Sequence, residues 1–135
     1  MPTKDDVYTI KELDFPDVNI QRKSNGIVYV TFKDNCNLDI PLQMQLLDYY
    51  YDITDGKLMH FMFFAAENVS ITKEARDNAI KTEDQSTLGA TAVVVDTLAY
   101  KLIANFYLKF NKPKRPYKVF SKEEEAVKWL KTIKL

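Results

Sequence analysis

The stretch Lys57 to Ala66, KLMHFMFFAA, shows no alternation of apolar and polar residues. A half-buried strand reads with a period of two, so an unbroken apolar run between turn residues reads as a strand covered on both faces. That feature calls for helices above and below a sheet. The run is also far shorter than the roughly 20 residues of a membrane-spanning helix, so no membrane insertion is expected. A second run of the same kind, GATAVVV, follows at Gly89 to Val95. Phe61, Phe63, Val93 and Val95 are therefore expected to lie buried in neighbouring strands.

The rest of the chain supplies the helices. Asn25-Gly26 separates two strand-forming runs, Val18 to Lys23 and Ile27 to Lys33, and predicts a hairpin closed by a type I′ turn. Residues 1–17 read as an extension with one strand at Val7 to Leu13, and the core as about 18–132. Pro41 followed by Leu42, Leu46, Leu47, Tyr50 and Ile53 has helical spacing, and Gly56 stops it. A short helix opens at Thr72, its N-cap, with Glu74 in the first turn and a thin apolar stripe of Ala75, Ala79 and Ile80. Asp96 caps a helix over Thr97 to Phe110, lined by Leu98, Leu102, Ile103, Phe106 and Phe110. Pro113 and Pro116 then leave room for a short edge strand, YKVF. Ser121 and Glu124 form a capping box for a last helix that buries Val127, Leu130 and Ile133, with Ala126 and Trp129 flanking. The order is ββαβαβαβα, one α/β domain with a mixed, mostly parallel sheet flanked by helices.

Charge and composition bound the function. Nineteen basic residues balance nineteen acidic ones across 135 residues, so no global field draws this chain to nucleic acid. Cys36 is the single cysteine, which excludes an intrachain disulfide and a multi-cysteine zinc site, and fits a reducing cytoplasm. The N-terminal residues carry no apolar core of a signal peptide, so a soluble cytoplasmic protein is expected. Three glycines cannot build a phosphate cradle, and no nucleophile-and-base motif occurs. No cofactor is expected.

A few residues stand out chemically. His60, the only histidine, sits in the most apolar run and reads as a buried residue hydrogen-bonded within the sheet or facing a helix. Asp34, Glu67 and Asp96 fall near strand ends, where open α/β sheets place their sites, but Asp96 is explained as an N-cap and no metal is expected. Lys109, Lys112, Lys114, Arg115 and Lys118 gather five positive charges near a helix end, a solvated face or else a docking patch for an acidic partner or lipid head group. Of Tyr49, Tyr50 and Tyr51, at least one ring must face solvent on a helix.

This element order, together with the words AVVVDTLAYKLIANFYLKFNKPKRPYKVFSKEEEAVKWL at Ala92 to Leu130, resembles the SpoIIAA-like (STAS-like) domains. The segment is similar to small uncharacterised Bacteroidetes-type members of that bacterial group. The resemblance spans about Val18 to Leu130. It implies a non-enzymatic protein-interaction and regulatory module, with a phosphorylatable serine in a loop after the central strand. That loop is here AENVSITKEAR, which makes Ser70 and Thr72, with Glu74 and Arg76, the candidate partner-binding or phosphoacceptor residues. The motif's aspartate and glycine are missing, and a hydroxyl here also serves as a helix cap. The basic stretch Lys112, Lys114, Arg115 and Lys118 is the alternative surface. The partner is a protein that the sequence does not name; a homodimer stays open, and so does a small apolar ligand or lipid, as in the related CRAL-TRIO domains. A cavity of several hundred Å3 would favour the ligand.

Overall fold

The computed structural model describes residues 6–95 and 114–135. The expected helix at Thr97 to Phe110, its cap Asp96, and the basic residues Lys109 and Lys112 lie outside the described residues.

Strands β1 (Thr9–Asp14), β2 (Val18–Lys23) and β3 (Ile27–Phe32) form an antiparallel meander. The expected hairpin is there, but its turn is of another type. The Gly26 N–H donates to the Lys23 carbonyl at 3.0 Å, and Gly26 alone in the loop has positive φ, at 81°. A type I′ turn needs positive φ at both central residues; the three-residue loop Ser24 to Gly26 ends on a left-handed glycine instead. Asn25 keeps negative φ and accepts the Ile27 N–H at 3.1 Å through Oδ1.

After β3 come β4 (Asn37–Leu38), α1 (Ile40–Thr54), β5 (Met59–Ala65), β6 (Ser70–Ile71) and α2 (Lys73–Lys81). A 3-10 turn (Glu83–Gln85), β7 (Leu88–Val94), β8 (Tyr117–Phe120) and α3 (Glu123–Lys131) follow. The main sheet runs β1-β2-β3-β5-β7-β8, with every pair from β3 onward parallel. β4 and β6 form a separate two-stranded parallel ladder that periodicity did not reveal, since two residues are too few to show a period.

Helix α1 begins where the Asp39 carboxylate accepts the Leu42 N–H at 3.0 Å and ends on left-handed Asp55 and Gly56, at φ 54° and 75°. It buries Leu46, Tyr50 and Ile53 against Val18, Ile20, Val28, Val30 and Phe61 on one face of the sheet. Tyr51 projects into solvent at 65% exposure, while Tyr49 stacks on Phe15 with ring centroids 4.2 Å apart. Helix α3 covers the opposite face, where Ala126 and Leu130 meet Ile27, Tyr29, Met62, Ala90, Ala92 and Phe120. Its start corrects the capping-box expectation. Lys122, not Ser121, holds the N-cap position and no side chain caps the helix. Glu123, Glu124 and Glu125 in the first turn put negative charge at the positive end of the dipole instead. Val127 and Trp129 are only half-buried.

The apolar run of β5 is a central strand, as expected, with Phe61 in one core and Met62 in the other. Phe63 and Val93, however, are half-buried, and Val95 is buried but lies just beyond β7. The reason is a space on the α1 face of the sheet.

Candidate functional site, an apolar cavity walled by α2

Helix α2 forms as its sequence dictates. The Thr72 hydroxyl accepts the Ala75 N–H at 3.0 Å, and the helix is tied to α1 by a Gln43 side-chain bond to the Ala75 carbonyl at 2.7 Å. Its apolar stripe is so short that only Ala75 is fully buried. A helix with so small a stripe cannot fill the sheet face beside α1. What remains is a cavity of about 530 Å3.

Among the described residues, Phe63, Val93, Val95 and Tyr117 form its sheet floor, Leu46 and Tyr50 its α1 side, and Ala79 and Ile80 its α2 side. Val69, Ser70 and Ile71 close one end; Gln43, Arg76, Glu83, Ser86 and Arg115 supply polar atoms to the wall. Burial, with the Cys36 thiol adding to it, pushes the Tyr50 phenol far up, so Tyr50 stays a neutral side chain.

Part of the polar wall, at Glu83 and Arg115, is built by charges that hold the backbone. Glu83 accepts the N–H groups of Arg115 at 2.9 Å and Lys114 at 3.1 Å, one on each carboxylate oxygen. The guanidinium of Arg115 donates through Nη1 to the carbonyls of Ser86 at 3.0 Å and Leu88 at 2.6 Å. These bonds clasp the 3-10 turn to the lead-in of β8.

The sequence-derived candidates fall into different places. Ser70 belongs to β6, where its hydroxyl donates to Asn37 Oδ1 at 2.9 Å; it does not cap a helix. Thr72 caps α2, Glu74 is exposed in its first turn, and Arg76 is half-buried in the cavity wall. The basic stretch is not one surface. Lys114 is exposed and lies 3.5 Å from Asp84, and Arg115 lines the cavity. Lys118 projects on the α3 face, its Nζ 5.4 Å from the centroid of the Phe120 ring. Among the described residues the two candidate sets thus meet on the same cavity, through Ser70 and Arg76 of the first and Arg115 of the second.

His60 is buried, accepting the Ala90 N–H at Nδ1 and bonding the Ile133 carbonyl through Nε2, a role in the core as expected. Cys36, expected in a polar loop, is buried, and burial raises its thiol above the usual range, with Asp17 and Asp39 adding to the effect. Asp34 accepts the Glu67 N–H at 3.0 Å, tying the ends of β3 and β5 together. Among the described residues no three of His, Cys, Asp and Glu gather into a metal-sized cluster, and no helix is long and apolar enough to cross a membrane.

Sequence reasoning missed the cavity floor. Phe63, Val93 and Tyr117 look in the sequence like any core residues. The usable signal was the thin stripe of α2, which says that part of the sheet face is left uncovered by that helix.

An antiparallel meander leading into parallel strands, with α1 and α2 on one face and α3 on the other, is a SpoIIAA-like α/β domain. The fold is similar to the crystal structure of an uncharacterized DUF3478-family protein with a SpoIIAA-like fold from Shewanella loihica PV-4, at a TM-score of 0.56. The two chains are 16% identical, with 84% of this chain and 91% of that chain covered, a likeness of fold alone. Residues 20–134 match the family described as a domain of unknown function, DUF7793, and the chain belongs to that family. No curated protein matches it.

Proposed function

We propose that this domain is a non-enzymatic binding module that holds a small apolar molecule in the cavity between α2 and the sheet. The observation that carries the reading is the cavity itself. Its volume of about 530 Å3 falls within the range of roughly 300 to 1,000 Å3 that ligand sites occupy, and its wall is mainly Phe, Val, Leu, Ile and Tyr with a few polar groups. Half-buried Phe63 and Val93 gain from any apolar occupant that removes them from water. A cytoplasmic setting, expected from the lone cysteine, belongs to the same proposal.

A second reading, a protein-interaction module, has its own support. Ile40, Met44 and Ile71 are exposed at 38%, 43% and 37% on the elements that flank α2, and α2 itself gives little to the core. An element so lightly anchored is readily used in recognition. Organic extraction of protein purified from its own cells separates the two. A stoichiometric small molecule in the extract is the expected result; an extract free of small molecules, with a protein co-purifying at fixed stoichiometry, favours the partner.

A further inference from the structure

We infer that the cavity's ligand is an apolar chain ending in a single carboxylate, its head held at Arg115. The inference rests on the cavity being a ligand site and goes on to the chemistry of the ligand. Arg115 is half-buried, yet the hydrogen bonds of its guanidinium all go to neutral oxygens: the Ser86 carbonyl at 3.0 Å, the Ser86 hydroxyl at 3.3 Å and the Leu88 carbonyl at 2.6 Å. Among the described residues no ion pair joins it to a carboxylate. Glu83 is next to it, but its two oxygens accept the backbone N–H groups of Lys114 and Arg115 and make no ion pair with the guanidinium. A guanidinium keeps its charge at every pH at which a protein folds, and a charge drawn partly out of water beside an apolar wall is costly until an anion meets it. Arg76 brings a second guanidinium to the same wall.

The planar fork of a guanidinium fits a carboxylate with two parallel hydrogen bonds. Glu83 decides against a more highly charged head. Its carboxylate lines the same cavity, so a phosphate dianion would meet stronger like-charge repulsion there than a carboxylate does. The head therefore sits at the Arg115 end, and the tail runs over Val93 and Phe63 towards Leu46.

The test is calorimetric titration of the full chain with decanoate and, separately, with 1-decanol, which has the same tail and a neutral head. The acid is expected to bind at least tenfold more tightly, the effect of one charge-assisted hydrogen-bonded pair. Arg115→Gln should bring the acid to the level of the alcohol measured on the same variant, while Arg115→Lys keeps part of the difference. Should Arg115→Gln fail to fold, added salt serves instead, since it should shrink the advantage of the acid and not the binding of the alcohol. Equal affinities for acid and alcohol overturn the carboxylate inference and leave the cavity as an apolar site. Binding of neither overturns both.

Discussion

His60 Nε2 lies 2.8 Å from the carbonyl oxygen of Ile133, while Nδ1 of the same ring receives the Ala90 N–H at 3.2 Å. The two bonds fix the ring as the neutral Nε2–H tautomer and join β5, β7 and the segment after α3 at one point. Gly89 belongs to this clasp: a Cβ there would run into the side chain of Leu135. His60→Leu should lower stability by about 1 to 3 kcal/mol, because it leaves the buried Ala90 N–H unpaired. His60→Asn, whose Oδ1 can stand in for Nδ1, should lose less. Urea denaturation ranks the two, and equal losses would show that the Ala90 bond carries no weight.

Docking of α3 rests on Leu130, which is wholly buried against the face of the sheet away from α1. Leu130→Ala should cost about 2 to 5 kcal/mol through the cavity it leaves. Trp129 is half-buried and packs on Phe120 with ring centroids 5.6 Å apart, so Trp129→Ala should cost less than Leu130→Ala. A shift in the urea midpoint that is larger for Trp129→Ala would place the anchor of this helix elsewhere.

Thr72 and Ser70 separate in the same way. Thr72→Ala removes the N-cap of α2 and should destabilise by about 1 kcal/mol. Ser70→Asp sets a carboxylate oxygen against Asn37 Oδ1, which now accepts the Ser70 hydroxyl, and should loosen the β4–β6 ladder. Hydrogen exchange reports this as faster exchange at the Ser70 and Thr72 amides, which bond the Cys36 and Leu38 carbonyls. Unchanged exchange in Ser70→Asp would show that the ladder does not depend on that hydroxyl.

The sequence disclosed what periodicity and turn chemistry control, and missed what depends on how elements meet. The unbroken run at β5, the stripe of α1 and the Thr72 cap are local patterns, and each stands in the structure where it was expected. The turn at Gly26 differs because Asn25 uses its side chain on the Ile27 N–H, a choice that the dipeptide alone does not reveal. Ser121 looked like a cap because a hydroxyl precedes a glutamate by three residues, yet the first turn is served by the glutamates themselves. Arg76 and Arg115 are distant in the chain and share a cavity wall only after β7 and β8 pair. No spacing rule brings them together.

Acid should weaken the fold in a defined way. The carboxyl of Asp55 is held below its usual range chiefly by the hydrogen bond from Arg22 at 2.8 Å, with Lys11 adding to it. Asp14 is lowered chiefly by Asn19, then by Lys33. A carboxyl lowered in the folded state gives stability that is present above its unfolded value, about pH 4, and is lost as pH falls through the folded value. Stability should therefore fall between those two values, and Asp14→Asn with Asp55→Asn should flatten that limb of the urea-midpoint profile. Both groups are exposed, so the change should be small and should shrink further in salt. An acid limb equally steep in the double variant would mean that other carboxylates set it.

The central claim is that the space between α2 and the sheet is a ligand site, and equilibrium titration with Nile red, a neutral apolar dye, tests it most directly. The wild-type chain should bind the dye saturably at one site, and Val93→Trp, which fills the floor of the cavity, should abolish that binding while the protein still unfolds cooperatively. Saturable binding that survives unchanged in a folded Val93→Trp variant, or no binding by the wild type, would contradict the account.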